Sequence, residues 1–312
     1  MKYCPITYDL ISDDEQYSQR GLRLLSPRLK NLMPLAMTAQ EQQREAIKRA
    51  GKMSIQGLQT KLSAQLKVKE ECFDIVDSQG QYILKTQSRL YAELPENESI
   101  TMAMAKTIGL EVPVHGLVYA IDGSMTYFIK RFDRLPRNKK VAVEDFAQLL
   151  GLDRETKYDG AMEKIIAVIA DYCSFPKIEF VKLFKLTLFN FLIGNEDMHL
   201  KNFSLITKDG KTCMSPVYDL LNSSIVLDEA AEEIALTLNG KKKNLTRNTL
   251  LNYFASERLG LNDVVINEVL EGFQKNLALW CELIGRSYLS VGMRKRYLVL
   301  LKERCQRLGL SF

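Results

Sequence analysis

The sequence predicts an α+β fold in two lobes, a small β-rich lobe over residues 1–132 and a larger all-α lobe over residues 133–312. Three observations carry this. Short β-like runs separated by turn residues fill much of the first part, helical periodicity dominates after Phe132, and a proline-bearing basic stretch, FDRLPRNKK, marks the change.

The first fifty residues mix a helical segment, Glu41 to Arg49, with YSQRGLRLLSPRLKNL, whose leucines and single proline read as a packed but irregular arm. LSAQLKV, CFDIV and QYILK then form an antiparallel meander broken by the turn signals KEE and DSQG. ESITMAMAKTIG, rich in helix formers and ending in glycine, is a helix. LEVPVHGLVYA and MTYFIKRF are two more strands around IDGS. Beyond Phe132 the spacing predicts helices at Val143 to Leu150, Ala161 to Asp171 and Ile178 to Ile193, then amphipathic stretches from Arg247 to Leu308. VVINEVLEGFQKNLALWCEL, with Trp280, has the spacing of a core helix.

Composition bounds the chemistry. At 312 residues and 46% hydrophobic, the chain can bury an ordinary core, and a net charge of +5 falls short of a dedicated nucleic-acid binder. The basic patches LNGKKKNLTRN and GMRKRY therefore read first as solvated faces, with a DNA or partner surface as the alternative. The six cysteines are scattered, with no CxxC pair, and read as reduced thiols. No signal-peptide profile opens the chain and no apolar run reaches the roughly 18 residues of a membrane span, so a cytoplasmic location is expected.

The densest chemistry lies in FNFLIGNEDMHLKNFSLI, where polar Asp197, His199, Lys201 and Asn202 sit between two apolar elements. Asp197 and Asn202 stand five apart, the spacing of the base and a metal ligand in the catalytic loop of protein kinases. Phosphoryl transfer needs one carboxylate to accept the incoming hydroxyl's proton and one neutral oxygen on the metal. A second acid must hold magnesium, and Asp219 follows the hairpin-like KDGKTCMSP in SPVYDLLNSS, at the place of the kinase DFG aspartate, with Leu220 and Leu221 in place of Phe and Gly. The plain alternative is that each of these residues caps a turn or helix. In the N-terminal part, SIQGLQTKLS puts one glycine in a polar stretch able to cradle phosphate through backbone N–H groups. Lys85 closes a strand as the kinase β3 lysine does, and Glu98 is its favoured carboxylate partner, ahead of Glu93 and Glu96.

Taken in order, SIQGLQTKLS, YILKT, the ENE of PENESI, GLEVP, FIKRFDR, VEDFAQLLG, TKYDG, LIGNEDMHLKNFSL and SPVYDLLNS resemble the HipA family of toxin kinases over about residues 50–225. The resemblance implies a two-lobed protein-kinase-like fold and transfer of phosphate from ATP, with Mg2+, to serine or threonine of a protein such as a translation factor. It implies autophosphorylation at Ser54, with an inhibitory effect, and nucleotide contacts from the loop Gln56, Gly57, Leu58, Gln59, Thr60 and Lys61 and from Lys85. It further implies Asp197 as catalytic base, Asn202 and Asp219 as metal ligands, His199 and Lys201 beside the nucleotide, and an adenine border at Lys130, Arg131 and Phe132. Lys130 departs from the family, whose classical member carries an acid there. The chain is most similar to the short HipT type, in which an N-terminal subdomain of about a hundred residues is replaced by a separate HipS-like protein. A HipB-like helix-turn-helix antitoxin then completes the complex and carries most of the contact with operator DNA. The competing readings are a small-molecule or lipid kinase with the same Asp, Asn and Asp logic, and a pseudokinase that binds without chemistry, against which Lys85, Asp197, Asn202 and Asp219 are all present.

Overall fold

Short strands whose central members are buried on both faces build the first sheet, and amphipathic helices around one nearly all-apolar helix dominate the rest. The computed structural model of the chain describes residues 1–49, 60–135, 139–153, 155–227 and 232–312. These part into two compact units, one of Met1–Ala103, Pro113–Asn138 and Leu283–Arg294, the other of Met104–Val112, Lys139–Glu282 and Lys295–Phe312.

In the first unit, β1 (Lys2–Tyr3) and β2 (Leu10–Ile11) form a short antiparallel ladder, followed by α1 (Gln19–Leu25) and α2 (Ala39–Arg49). The meander and the later pair of strands are β3 (Lys61–Lys67), β4 (Cys72–Ile75), β5 (Tyr82–Lys85), β6 (His115–Tyr119) and β7 (Met125–Lys130). They join in one antiparallel sheet of order β4-β3-β5-β7-β6. Leu62, Ala64, Phe73, Tyr82, Leu84 and Phe128 pack from the sheet against Leu22, Leu25, Leu29, Leu32 and Leu35. The N-terminal arm is thus core: its leucines cover one face of the sheet, which would otherwise leave apolar area in water.

Helix α3 (Leu94–Thr107) starts four residues before the expected Glu98 and carries a run of buried polar side chains at its start, Glu96, Asn97, Glu98 and Ser99. A polar network leads from α2 to it. Gln43 donates to the Gln87 carbonyl at 2.6 Å, Gln87 Nε2 donates to Glu96 Oε1 at 2.8 Å and to the Met125 carbonyl at 2.9 Å, and Thr126 Oγ1 donates to buried Gln42 at 2.7 Å. Glu96 Oε2 is buried with no hydrogen-bond partner.

The second unit is helical in the main but not all-α. Residues expected as a helix from Val143 divide into strand β8 (Ala142–Asp145) and the single turn α4 (Phe146–Leu149). The reason is local: Asp145 caps α4 by accepting from Gln148 N at 2.9 Å, while Val143 and Ile206 pair across a second sheet. That sheet has order β10-β9-β8, with β9 (Ser204–Lys208) and β10 (Lys211–Met214) turning at Asp209 and Gly210, both at positive φ (50° and 72°). Around it lie α5 (Met162–Tyr172), α6 (Pro176–Ile193), a helix with π-type hydrogen bonding (Thr249–Arg258) and most of α7 (Asp263–Arg286) and α8 (Val291–Leu308). Trp280 is fully buried, edge-on to Phe189 and Phe273, and its indole N–H donates to Thr107 Oγ1 at 2.8 Å. This is the core role its spacing predicts. Among the described residues no helix is long and apolar enough to cross a membrane.

Burial chiefly, with the nearby Glu93 carboxylate, pushes the Glu96 carboxyl up to about 7 against the hydrogen bond from Gln87. Its folded value lies above the unfolded one, so its contribution to stability is full below pH 4.5 and is lost as pH rises through 7. Wild type should lose about 3 kcal/mol relative to Glu96→Gln between pH 4.5 and 8, measured by urea unfolding across that range; parallel curves would show an ordinary carboxylate.

Candidate active site

Helix α6 delivers the polar loop. It is buried almost all round over its last turns and ends at Gly194, whose φ of 71° is left-handed. A Cβ there would stand 2.4 Å from Leu300, 2.8 Å from Ser224 Oγ and 3.0 Å from Asn222 Oδ1, so only glycine fits. Asn195, fully buried, donates to Asn190 Oδ1 at 3.0 Å and accepts from Asp197 N at 3.1 Å, which steers the chain straight into Asp197. The loop closes where Asn202 Nδ2 donates to the Asp197 carbonyl at 2.9 Å. With Nδ2 engaged in this way, the remaining polar atom of the Asn202 side chain is Oδ1, a hard oxygen donor.

Asp219 follows β10 and takes φ 55°, a conformation uncommon outside glycine, asparagine and aspartate. The chain on both sides of it is fastened to the loop. Tyr218 donates to the Lys201 carbonyl at 3.0 Å and shares a 2.5 Å hydrogen bond with Ser204. Ser223 accepts from Glu196 N at 2.7 Å, and Ser224 N and Oγ both reach the Gly194 carbonyl, at 3.1 and 3.0 Å. Strain at Asp219 is thereby held by bonds on either side.

The environment of Asp197 was not legible in advance. The Tyr158 hydroxyl donates to Asp197 Oδ1. His199 Nε2 lies 3.9 Å from the same oxygen and 2.9 Å from Lys157 Nζ. Burial chiefly, with Lys157, holds His199 below the ordinary imidazole range, against the upward pull of Asp197 and Asp219. A neutral ring accepting from Lys157 at Nε2 carries its proton on Nδ1, which is buried without a partner. Lys157 and Tyr158 belong to TKYDG, a segment that the sequence marks only as part of a resemblance.

In the first unit, Lys85 Nζ and Glu98 Oε1 form a 2.5 Å ion pair with side-chain exposures of 5% and 1%, and Lys85 also lies 5.6 Å from the Tyr127 ring centroid. Register explains its placing: β5 is flanked by β3 and β7, with Lys85 opposite Lys61 on one side and Tyr127 on the other. Glu98, not Glu93 or Glu96, is the partner.

Of the remaining expected site residues, Ser54, Gln56, Gly57, Leu58 and Gln59 lie outside the described residues. Thr60 shares a 2.5 Å hydrogen bond with Thr86, and Lys61 opens β3. The N–H groups of Lys130 and Arg131 are engaged by the carbonyls of Val114 and Gln81, at 2.7 and 2.8 Å, so as placed neither is open to adenine. The Lys130 side chain is exposed, and Arg131 pairs with Asp133 at 2.8 Å. Lys201 pairs with Asp145 at 2.9 Å, a carboxylate that also caps α4. Among the described residues no group of three or more His, Cys, Asp or Glu side chains gathers as a metal site. Magnesium does not require one, since it is commonly held by one or two protein groups together with substrate phosphates and water.

Residues 53–280 match the HipA-like C-terminal domain family. A protein of Sinorhizobium fredii named as a kinase, Y4dM, is 34% identical over 255 residues, 76% of this chain and 61% of its own length. A Haemophilus influenzae protein also named as a kinase is 31% identical over 72% of this chain and 69% of that protein. The serine/threonine-protein kinase toxin HipA of Shewanella oneidensis is 26% identical over 60% of this chain, and the matched part spans only 47% of that protein. Among solved structures, the Shewanella HipA complex with HipB and operator DNA aligns with TM-score 0.68 at 22% identity over 90% of this chain and 74% of that one. The Helicobacter pylori proinflammatory kinase CtkA aligns with TM-score 0.53 at 15% identity over 72% of this chain and 86% of that one. These two likenesses establish a kinase-like α+β fold.

Breaking the Lys85–Glu98 pair should cost more than deleting it. Glu98→Ala leaves an ammonium buried and should lower the unfolding free energy by about 3–5 kcal/mol, whereas Lys85→Met with Glu98→Leu should recover most of the loss. Urea unfolding of the three proteins decides this; equal costs for single and double variants would show that the pair is not a buried ionic one.

Proposed function

Because this chain belongs to the HipA-like C-terminal domain family, we propose that it is a protein kinase, transferring the γ-phosphate of ATP to a serine or threonine of a cellular protein. The observation that carries this reading is the Asp197 to Asn202 turn, in which a partly exposed carboxylate and an amide oxygen are set by one side-chain-to-backbone bond. Relatives named as kinases support the reading.

Asp197 is the base that receives the proton of the substrate hydroxyl. The Oδ1 of Asn202 and the carboxylate of Asp219 suit magnesium, a hard cation that takes oxygen ligands, and in this reading they hold it. Bound there, the ion would neutralise charge on the phosphate oxygens. Lys85, oriented by Glu98, is the cation for the nucleotide phosphates. Lys201 is assigned instead to anchoring the loop on Asp145, because its ammonium is already paired.

The regulatory reading follows from charge. Phosphate on Ser54 would add about −1.5 to −2 charge beside the stretch from Gln56 to Lys61 that binds ATP, and autophosphorylation there is inhibitory. A HipB-like helix-turn-helix antitoxin and a HipS-like small protein are the partners, with operator DNA touched mainly through the antitoxin. The Shewanella complex of HipA, HipB and operator DNA supports an antitoxin partner for a chain of this fold. A translation factor such as an aminoacyl-tRNA synthetase is the substrate class.

Incubation of the purified chain and of Asp197→Ala with γ-labelled ATP and magnesium, followed by peptide mapping, tests the reading. Label on Ser54 in wild type, reduced by a factor of about 10² or more in the variant, is the expected result. Wild type that binds ATP and transfers nothing, to itself or to added protein, would favour a pseudokinase.

A further inference from the structure

We propose that Tyr158 is a positioning residue of the candidate active site, holding one carboxylate oxygen of Asp197 so that the other meets the substrate hydroxyl. This rests on Asp197 being the base.

The two oxygens of Asp197 differ. Oδ1 accepts the Tyr158 hydroxyl and lies 3.9 Å from His199 Nε2, whereas Oδ2 takes no hydrogen bond among the described residues. The side chain is 31% exposed, and with Oδ1 occupied by Tyr158, Oδ2 is the oxygen left for an arriving hydroxyl. The terminal torsion of an aspartate is broad, and a carboxylate tethered only by its own backbone samples a wide arc. A charge-assisted bond to one oxygen fixes its plane and so the direction of the other. Base catalysis depends on that direction, since the accepting oxygen must come within hydrogen-bond reach of the proton it takes.

Tyr158 is itself immobilised on both sides. Its ring meets the His199 ring edge-on, centroids 5.0 Å apart at 88°, and Lys157 Nζ stands 4.8 Å from its centroid while donating to His199 at 2.9 Å. The Lys157 carbonyl accepts from Leu200 N at 3.2 Å, joining the segment to the loop through backbone as well. Burial, then the bond to Asp197, push the Tyr158 phenol well above its ordinary range, so it stays a donor and does not compete for the proton. The proton of the substrate hydroxyl passes to Oδ2 as the hydroxyl oxygen itself bonds the γ-phosphorus and the bond from that phosphorus to the leaving ADP breaks.

The test is a double-mutant cycle on the full chain: Tyr158→Phe, Asp197→Asn and the pair, assayed for labelled phosphate transfer to itself and to casein. ATP affinity by calorimetry and the thermal midpoint are read alongside. Tyr158→Phe should lower kcat about ten- to a hundredfold, the worth of a hydrogen bond to a charged group. ATP affinity should stay within about twofold, since the bond that is lost is to the base, and the thermal midpoint should show the variant folded at the assay temperature. In the Asp197→Asn background the same change should cost nothing further. A wild-type rate in Tyr158→Phe beside a dead Asp197→Asn would overturn this inference and leave the base standing. An equal loss in both backgrounds, or a loss matched by lower ATP affinity, would show Tyr158 acting apart from Asp197. Full activity in Asp197→Asn would remove the base and this inference together.

Discussion

The hydrogen bond from Asn202 Nδ2 to the Asp197 carbonyl is the constraint on which the candidate site depends. It turns two residues five apart in sequence into one rigid unit and decides which atom of the Asn202 amide is left for a cation. The bond forms only because the chain enters the turn in one way. Helix α6 is buried on nearly every side over its last turns, Gly194 ends it in a conformation that a side chain would block, and Asn195 receives the backbone N–H of Asp197. Ser223 and Ser224, beyond Asp219, then return to Gly194 and Glu196. Apolar burial thus supplies the rigidity, and the polar bonds supply the direction.

The same division of labour governs the first unit. A five-stranded sheet covered by the leucines of the N-terminal arm gives β5 a fixed register, and that register sets Lys85 over Tyr127 and against Glu98. A buried ion pair of this kind is a poor source of stability compared with apolar side chains of the same volume. In the proposed function its presence reflects what a fixed lysine can bind, the phosphates of a nucleotide. Two carboxylates on one helix, Glu96 and Glu98, show how far surroundings separate like groups: one is paired with an ammonium, the other has an orphan oxygen and is pushed up to about 7.

Much of this was legible in the residues. The strand runs, the helix that stops at Thr107 just before Gly109 and the buried helix before the polar loop follow from period and punctuation. The choice of Glu98 over Glu93 and Glu96 followed from the kinase pattern. The second sheet was not seen whole, because β8 is four residues long and runs directly into a capped turn, which at the level of apolar spacing looks like one helix from Val143 to Leu150. Tyr158 and Lys157 were missed as site residues because they meet Asp197 and His199 across about forty positions of sequence, and nothing in local pattern signals such a meeting. The adenine border at Lys130 and Arg131 rested on resemblance alone, and the sheet engages both N–H groups.

In the proposed function the Asp197 to Asn202 turn and Asp219 form a magnesium-dependent nucleotide site. Calorimetric ATP affinity with magnesium and with a chelator, in wild type and in Asp219→Asn, addresses it most directly. Wild type should bind ATP about tenfold or more tightly with magnesium, in keeping with the 1–3 kcal/mol typical of coupling between two ligands, and Asp219→Asn should lose that difference while keeping the metal-free affinity. The same magnesium effect in both proteins, or none in wild type, would show that Asp219 holds no magnesium at a nucleotide site.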